Sequence, residues 1–174
     1  FQHFMEVPGF GKGGITGIST GYRDVDNLTS GFSPEQLIVL AARPGRGKTS
    51  LALNIAHNVA VRQEKTVAIF SLEMSAEDLA LRLMCADAEV GMAAARSGTL
   101  EPNEFAKLLN SMRTLANAPI YVDATGRSTV SEIRSRCMRL AAKEELGLSI
   151  IDYLQLVGSG KSRVESRQQE ISEL

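Results

Sequence analysis

The run Ala42-Arg-Pro-Gly-Arg-Gly-Lys-Thr49 contains the residues best suited to chemistry in this 174-residue chain. Because Gly45 and Gly47 lack a Cβ, the backbone can fold closely around an anion and direct N–H groups at it. Lys48 could then reach the β- and γ-phosphates of a nucleotide, and the Thr49 hydroxyl could bind Mg²⁺. The run departs from the usual phosphate-binding pattern at its first position, which is Ala rather than Gly. The alternative is a Gly-rich turn whose Lys and Thr merely begin a helix.

The residues on either side give the run the context that a phosphate-binding loop requires. The apolar run Leu37-Ile-Val-Leu-Ala-Ala42 precedes it, and Leu51, Ile55 and Val59 follow at helical spacing. We therefore assign residues 37–42 to a strand and residues 49–63 to a helix, with the loop between them. The residues expected to contact the nucleotide are Arg43, Pro44, Gly45, Arg46, Gly47, Lys48, Thr49 and Ser50.

Two carboxylates follow other apolar runs. Thr66-Val-Ala-Ile-Phe-Ser71 predicts a buried strand and is followed by Glu73, while Leu148-Ser-Ile-Ile-Asp152 predicts a strand that ends on Asp152. Ligands bind at the carboxyl edge of open parallel sheets, where Asp152 could hold Mg²⁺ opposite Thr49. On its own, Asp152 could equally be a solvated acid that begins a loop. Glu73 could orient the water that attacks the γ-phosphate. It could instead be a first-turn acid that complements the dipole of the next helix.

Strands and helices alternate along the rest of the chain. Ser75-Ala-Glu-Asp78 has capping-box spacing and predicts the start of a helix, and the apolar stripe that begins at Phe105 predicts another helix after Glu101-Pro102. Residues 119–122 predict another strand. A last helix begins near Val130 and is expected to end with Gly147 as its C′ residue. This alternation predicts an α/β fold, with a mainly parallel sheet flanked by helices on both faces.

Composition and charge fit a cytoplasmic enzyme domain. Hydrophobic residues make up 44% and charged residues 22% of the chain, as in ordinary globular proteins. The net charge of −1 argues against a strongly basic DNA-binding face, so any DNA contact must come from local loops. Cys85 and Cys137 match no metal spacing and are expected to be small buried apolar residues. No apolar stretch is long enough to span a bilayer, and no membrane partner is expected.

Several segments together resemble the DnaB-type replicative helicases of bacteria and their phages. Thr16-Gly-Ile-Ser-Thr-Gly-Tyr22 is similar to the segment that opens the motor domain of this family. The resemblance covers nearly the whole chain and implies a RecA-like P-loop ATPase core at residues 18–174, preceded by a linker or the end of a linker helix at residues 1–17. The other matching segments are Ala42 to Thr49, Phe70-Ser-Leu-Glu-Met-Ser75, Asp152-Tyr-Leu-Gln-Leu156 and Ser166-Arg-Gln-Gln-Glu170.

The resemblance also implies the chemistry and the partners. It implies ATP and Mg²⁺ as cofactors and a homo-hexameric ring that translocates on single-stranded DNA and unwinds duplex, with primase and a helicase loader as partners. By the same resemblance, Lys48 binds phosphate, Thr49 and Asp152 hold Mg²⁺, and Glu73 is the catalytic carboxylate.

A Gly/Ser-rich loop at residues 158–167 is the candidate DNA contact. Its Lys161, Arg163 and Arg167 could track phosphates without reading bases. A solvent loop with ordinary charges is the alternative.

Parts of the family pattern do not map onto the sequence, which stops at Leu174. The later strand with its polar sensor residue and the arginine finger are among them, and that strand lies between the phosphate-loop strand and the Asp152 strand in the family's sheet. We therefore expect a longer polypeptide, of which this is a fragment, and weak turnover by this chain alone.

Two other function classes stay open: a recombinase or clock-type RecA relative, and an ATP-binding assembly module with little activity of its own.

Overall fold

The centre of the fold is the strand β1, Thr66–Ser71, whose six residues are all buried. The structure is a computed structural model that describes residues 14–126 and 128–153. Strands β2 (Ile120–Asp123) and β3 (Leu146–Asp152) flank β1 and run parallel to it, in the order β2-β1-β3. At the carboxyl edge, Phe70 pairs with Asp123 and Ser71 pairs with Asp152. The parallel arrangement predicted from the sequence is therefore confirmed.

Helices connect these strands, and the cap predicted at Ser75 is confirmed. The Ser75 side chain accepts a hydrogen bond from the Asp78 N–H at 3.2 Å, and a capping box opens the helix that begins at Pro102. None of the described helices is long and apolar enough to cross a membrane. The helices are α1 (Arg23–Thr29), α2 (Lys48–His57, continued by a π-helical turn at Asn58–Arg62), α3 (Ala76–Asp87), α4 (Met92–Ser97), α5 (Pro102–Asn117) and α6 (Val130–Ala141).

The two faces of the sheet are covered by different helices. Val67 and Ile69 of β1 pack on one face, and Ala68 and Phe70 pack on the other face together with Ile133 of α6. This alternation is what a parallel strand buried on both faces requires. The residues that cover the first face come from α2, its π-helical turn and α3, and they are Leu53, Ala56, Val59, Ala60, Leu79 and Leu83.

The strand predicted at residues 37–42 is wrong. These residues form no strand, and Leu37 and Val39 are 77% and 69% exposed. An extended run becomes a strand only when a neighbour satisfies its N–H and C=O groups, and no described strand lies beside this one. The resemblance implies a further strand at this position, but the described residues do not supply it.

The predicted helix stop at Gly147 is also wrong. Helix α6 ends at Ala141, and Gly147 lies inside β3. A Cβ at this position would lie 3.0 Å from the Cβ of Lys65, and the β1–β3 register shifts between Thr66 and Val67. Gly147 is therefore a close-approach residue at a strand irregularity and not a helix terminator.

The opening segment, residues 16–32, folds around the buried Asp26. The carboxylate of Asp26 accepts hydrogen bonds from Ser19 Oγ at 2.6 Å, Thr20 N at 2.7 Å and Thr20 Oγ1 at 2.8 Å. Burial by itself raises the pKa of Asp26, but the hydrogen bonds from Ser19, Thr20 and Gly21 outweigh it. The pKa is therefore lowered from its ordinary value of 3.8.

The opening segment is tied to the far end of α2. Asn58 Nδ2 donates to the Thr20 carbonyl at 2.9 Å. The amide of Gln63 donates to the Ser19 carbonyl at 2.8 Å and accepts from the Ser19 N–H at 3.1 Å. The end of α2 is therefore held by hydrogen bonds to the opening segment as well as by packing in the core.

Candidate active site

The Gly-rich loop, Arg43 to Gly47, is an exposed turn in which the Arg46 N–H donates to the Arg43 carbonyl at 3.3 Å. The φ angles of Gly45 and Gly47 are +74° and +81°, a region that other L-residues rarely adopt. A Cβ at either glycine would have no described atom within 4 Å. The backbone conformation therefore needs glycine, and the space beside it is open to a ligand.

Helix α2 begins at the end of this loop. Gly47 is its N-cap, and its first turn, Lys48-Thr-Ser-Leu51, includes a lysine and no carboxylate. The N–H groups of a first turn lack partners within their helix and favour an anion placed beyond the helix end. Of the other residues expected to contact a nucleotide, Pro44 lies in the exposed turn and Ser50 is exposed in this first turn.

The last residue of β3 meets the start of α2. Thr49 Oγ1 donates to Asp152 Oδ2 at 2.7 Å, and Lys48 Nζ lies 3.1 Å from Asp152 Oδ1. The Asp152 side chain is only 10% exposed and that of Lys48 is 32% exposed. A carboxylate so shielded from water needs strong partners, and each of its two oxygens has one. The structure thus brings together three residues that the sequence singled out separately.

Glu73 lies in a turn on the same edge of the sheet. Ser71 is the register partner of Asp152, and the Leu72 N–H donates to the Asp152 carbonyl at 2.9 Å. Ser71 Oγ closes the turn, because it donates to the Met74 carbonyl at 2.8 Å and accepts from the Met74 N–H at 3.1 Å. Glu73 itself is exposed. Its backbone is therefore fixed close to Asp152 while its carboxylate is open to solvent.

The position of Glu73 does not fit a first-turn helix acid. Helix α3 begins at Ala76 with Ser75 as its N-cap, and its first-turn acids are Glu77 and Asp78. Glu73 comes two residues before the cap, so it lies outside the turn where an acid complements the helix dipole.

The oxygens of Thr49 and Asp152 fit Mg²⁺. This ion usually takes one or two protein carboxylates and completes its shell with water and substrate phosphates. Among the described residues, no group of three or more His, Cys, Asp or Glu side chains could hold a metal by itself. The donor set therefore suits a magnesium ion that arrives with a nucleotide.

Comparison with known proteins decides the family. The family model for the DnaB-like helicase C terminal domain matches residues 17–174. The chain belongs to this family. It is 51% identical over 163 residues to the replicative DNA helicase DnaB of Geobacillus stearothermophilus, which covers 93% of the chain. It is 49% identical over 164 residues to the replicative DNA helicase DnaC of Bacillus subtilis, which covers 94% of the chain. The chain spans 36% of the length of each relative.

Solved structures of similar proteins share the fold. One is a DnaB-like replicative helicase described with its interactions with primase, which aligns with a TM-score of 0.88 and 26% identity over 98% of this chain and 41% of that chain. Another is an ATPase domain with a TM-score of 0.87 and 26% identity, covering 94% of this chain and 58% of that one. The RecA-like motor fold expected from the resemblance is confirmed.

Within this DnaB-like core, the sequence reasoning missed two residues near the site. Ser71 closes the turn that contains Glu73, and the Tyr153 ring centroid lies 4.8 Å from Lys48 Nζ. An aromatic residue directly after a strand-end Asp was the available signal for Tyr153. The loop 158–167, with Lys161, Arg163 and Arg167, lies outside the described residues.

Proposed function

We propose that this chain is the ATP-hydrolysing motor core of a ring-shaped replicative DNA helicase, which moves on single-stranded DNA and unwinds duplex. The observation that carries the proposal is the contact of Asp152 with both Thr49 and Lys48 at the carboxyl edge of a parallel sheet. That edge is where open α/β folds bind ligands. Membership of the DnaB-like family supports the same conclusion.

Each site residue has a distinct part in the proposed hydrolysis. The Lys48 ammonium neutralises charge on the β- and γ-phosphates, and the glycine turn with the first turn of α2 binds phosphate oxygens through N–H groups. Thr49 and Asp152 would hold Mg²⁺, which would supply further charge neutralisation when bound. Glu73 accepts a hydrogen bond from the attacking water and orients it toward the γ-phosphate.

The proposed partners follow from the same assignment. Single-stranded DNA passes through a homo-hexameric ring, in which a neighbouring subunit completes each hydrolytic site. Primase and a helicase loader are the other proposed partners, and a DnaB-like structural relative that is described with its interactions with primase supports the first of them. We propose a cytoplasmic location for this machinery.

The test of the proposal is ATP turnover, measured with and without single-stranded DNA, for the wild-type chain and for Lys48→Ala. We expect measurable turnover that DNA increases, and its loss in Lys48→Ala with an unchanged circular dichroism spectrum, because the ammonium assigned to the β- and γ-phosphates would be removed. Lys65→Ala is the matched control, since Lys65 pairs with Glu145 at the start of the sheet, away from the loop. Turnover by Lys48→Ala at the wild-type rate would contradict the assignment.

The same assay separates the alternatives. The family match does not favour a recombinase or clock-type relative. An ATP-binding assembly module would bind nucleotide through Lys48 without turnover, whether or not DNA is present. In the proposed ring a neighbouring subunit completes each hydrolytic site, so turnover depends on assembly. The oligomeric state should therefore be recorded by light scattering at the assay concentration. Full turnover by a monomer would contradict the proposed ring.

DNA contact by the loop 158–167 is tested by salt dependence. Neutralising Lys161, Arg163 and Arg167 together should weaken binding to single strands of any sequence. It should also flatten the plot of log K against log salt by about 0.7 for each phosphate that the loop no longer neutralises. An unchanged slope would show an ordinary solvent loop. The control triple variant neutralises three exposed cations on and just beyond α6, Arg134, Arg139 and Lys143.

A further inference from the structure

Asp152, the last residue of β3, and Tyr153, which follows it, both lie beside the ammonium group of Lys48. Asp152 Oδ1 lies 3.1 Å from Lys48 Nζ, and the centroid of the Tyr153 ring lies 4.8 Å from the same atom. The Lys48 side chain is 32% exposed, so it is partly withdrawn from solvent. The other oxygen of Asp152 accepts from Thr49 at 2.7 Å. The carboxylate and the ring therefore contact Lys48 separately.

The face of an aromatic ring carries partial negative charge and attracts a cation within about 6 Å of its centroid. Lysine has a flexible four-carbon stem, and it loses rotamer freedom when its ammonium is fixed on a phosphate. A ring that already restricts the stem reduces the freedom still to be lost when the ligand binds. Contact with Tyr153 would thus favour nucleotide binding without touching the nucleotide.

We propose that Tyr153 is a positioning residue for Lys48, which holds the ammonium beside the glycine loop through the face of its ring. The inference rests on the proposed function, because it assigns the phosphate-binding role to Lys48. It adds a residue that neither the phosphate-loop pattern nor the strand-end carboxylate includes. The chemistry needs the ring face and not the hydroxyl, so Phe should replace Tyr153 while Leu should not.

The contact itself can be tested without nucleotide. In the full chain labelled with ¹³C-lysine, the Hε protons of Lys48 should resonate upfield of ordinary lysine positions, because they lie near the ring face. The Lys48→Met variant assigns the signal. The shift should persist in Tyr153→Phe and disappear in Tyr153→Leu. Tyr121→Leu is the control, since Tyr121 is exposed on β2 and donates to Glu144 at 2.6 Å. An ordinary Lys48 shift in the wild-type chain would overturn the inference.

The consequence for binding is tested by a double-mutant cycle. The Kd for ATP with Mg²⁺ is measured calorimetrically for the wild-type chain, Tyr153→Leu, Lys48→Met and the double variant. Tyr153→Leu alone should weaken binding about two- to fivefold, the range of a partly exposed cation–π contact. It should have no further effect when Lys48 is already Met.

The outcomes separate this inference from the proposed function. Equal weakening by Tyr153→Leu in both backgrounds would show that Tyr153 does not act through Lys48, and would overturn the inference. Tyr153→Phe binding as weakly as Tyr153→Leu would overturn it too. Binding that depends on Lys48 but not on Tyr153 would leave the proposed function intact and remove only the positioning role. No ATP binding by the wild-type chain would contradict the proposed function, and this inference with it.

Discussion

Two apolar runs of six residues lead to the two turns of the candidate active site, yet only one of the runs forms a strand among the described residues. Residues 66–71 form β1, which is fully buried and paired with a strand on each side. Residues 37–42 form no strand and expose Leu37 and Val39 to solvent. The first run leads to the turn that contains Glu73, and the second leads to the glycine loop.

The difference shows that hydrophobicity selects a candidate strand, whereas backbone partners decide whether it forms. Among the described residues, no strand pairs with the run before the glycine loop. The loop is held from its other side, where Thr49 and Lys48 meet Asp152 and where α2 packs on β1. The Glu73 turn, in contrast, is fixed directly by the strand that precedes it.

Changing Glu73 to Gln should have the largest effect. The variant keeps the shape of the side chain but removes its charge and basicity. Groups of this kind contribute about 10²–10⁴-fold to rate, so turnover should fall by that factor. Affinity for ATP should change little, because the interaction removed belongs to the transition state. Stopped-flow or steady-state turnover and a Kd for ATP test this prediction.

Glu77→Gln is the matched control for that variant, since Glu77 is a first-turn acid of α3 only four residues away. It should leave turnover near the wild-type rate. If Glu73→Gln kept its turnover and lost thermal stability, Glu73 would be a structural acid. The turn that contains Glu73 would then contribute to the stability of the fold and not to hydrolysis.

Shortening one side chain in each apolar run compares how much the two runs contribute to the free energy of unfolding. Ile69 is 1% exposed in β1, so Ile69→Ala should lower the free energy of unfolding by about 2–5 kcal/mol. Val39 is 69% exposed, so Val39→Ala should change it by less than about 0.5 kcal/mol. Urea denaturation of both variants tests the prediction. A comparable loss at Val39 would mean that residues 37–42 are packed in solution, and the contrast between the runs would disappear.

Sequence patterns predicted the features that depend on local chemistry. The cap at Ser75, the helix after Glu101-Pro102, the buried strand 66–71 and the edge position of Asp152 follow from residue type and spacing, and the structure has them. Residues 37–42 were misassigned because strand formation depends on a partner distant in sequence, which no local pattern describes. Gly147 was misassigned for a similar reason, since its close approach to Lys65, which is distant in sequence, is not visible in any local pattern. The contact between Tyr153 and Lys48 is also non-local.

The buried Asp26 anchors the opening segment, which is hydrogen-bonded to the π-helical turn that continues α2 and to Gln63 just after it. Asp26→Asn should lower the free energy of unfolding by about 1–3 kcal/mol at pH 7, because strong hydrogen bonds to a carboxylate are weakened. The lowered pKa of Asp26 means that its charge stabilises the fold above the ordinary pKa of 3.8. That contribution is lost as pH falls through the folded-state value.

The pH dependence supplies the control for this variant. Urea unfolding of the wild-type chain and of Asp26→Asn should differ at pH 7, and the two should converge below the folded-state pKa of Asp26. Curves that stay equally far apart at both pH values would mean that Asp26 acts through packing and not through its charge.

The smallest expected effect concerns Ser71, the residue that links β1 to the Glu73 turn. Its hydroxyl makes both hydrogen bonds to Met74, so Ser71→Ala should lower the free energy of unfolding by about 0.5–1.5 kcal/mol. If the hydroxyl also keeps Glu73 in place, turnover should fall by less than about tenfold, the rate equivalent of 1.4 kcal/mol. That fall should be absent in a Glu73→Gln background, because the group being positioned is already changed.

Ser135→Ala, at an exposed position of α6, controls for loss of a serine hydroxyl elsewhere. A stability loss without any change in turnover would mean that β1 supports the turn without orienting Glu73. In that case the two turns of the candidate active site would differ in how they are anchored but not in how precisely they hold their side chains.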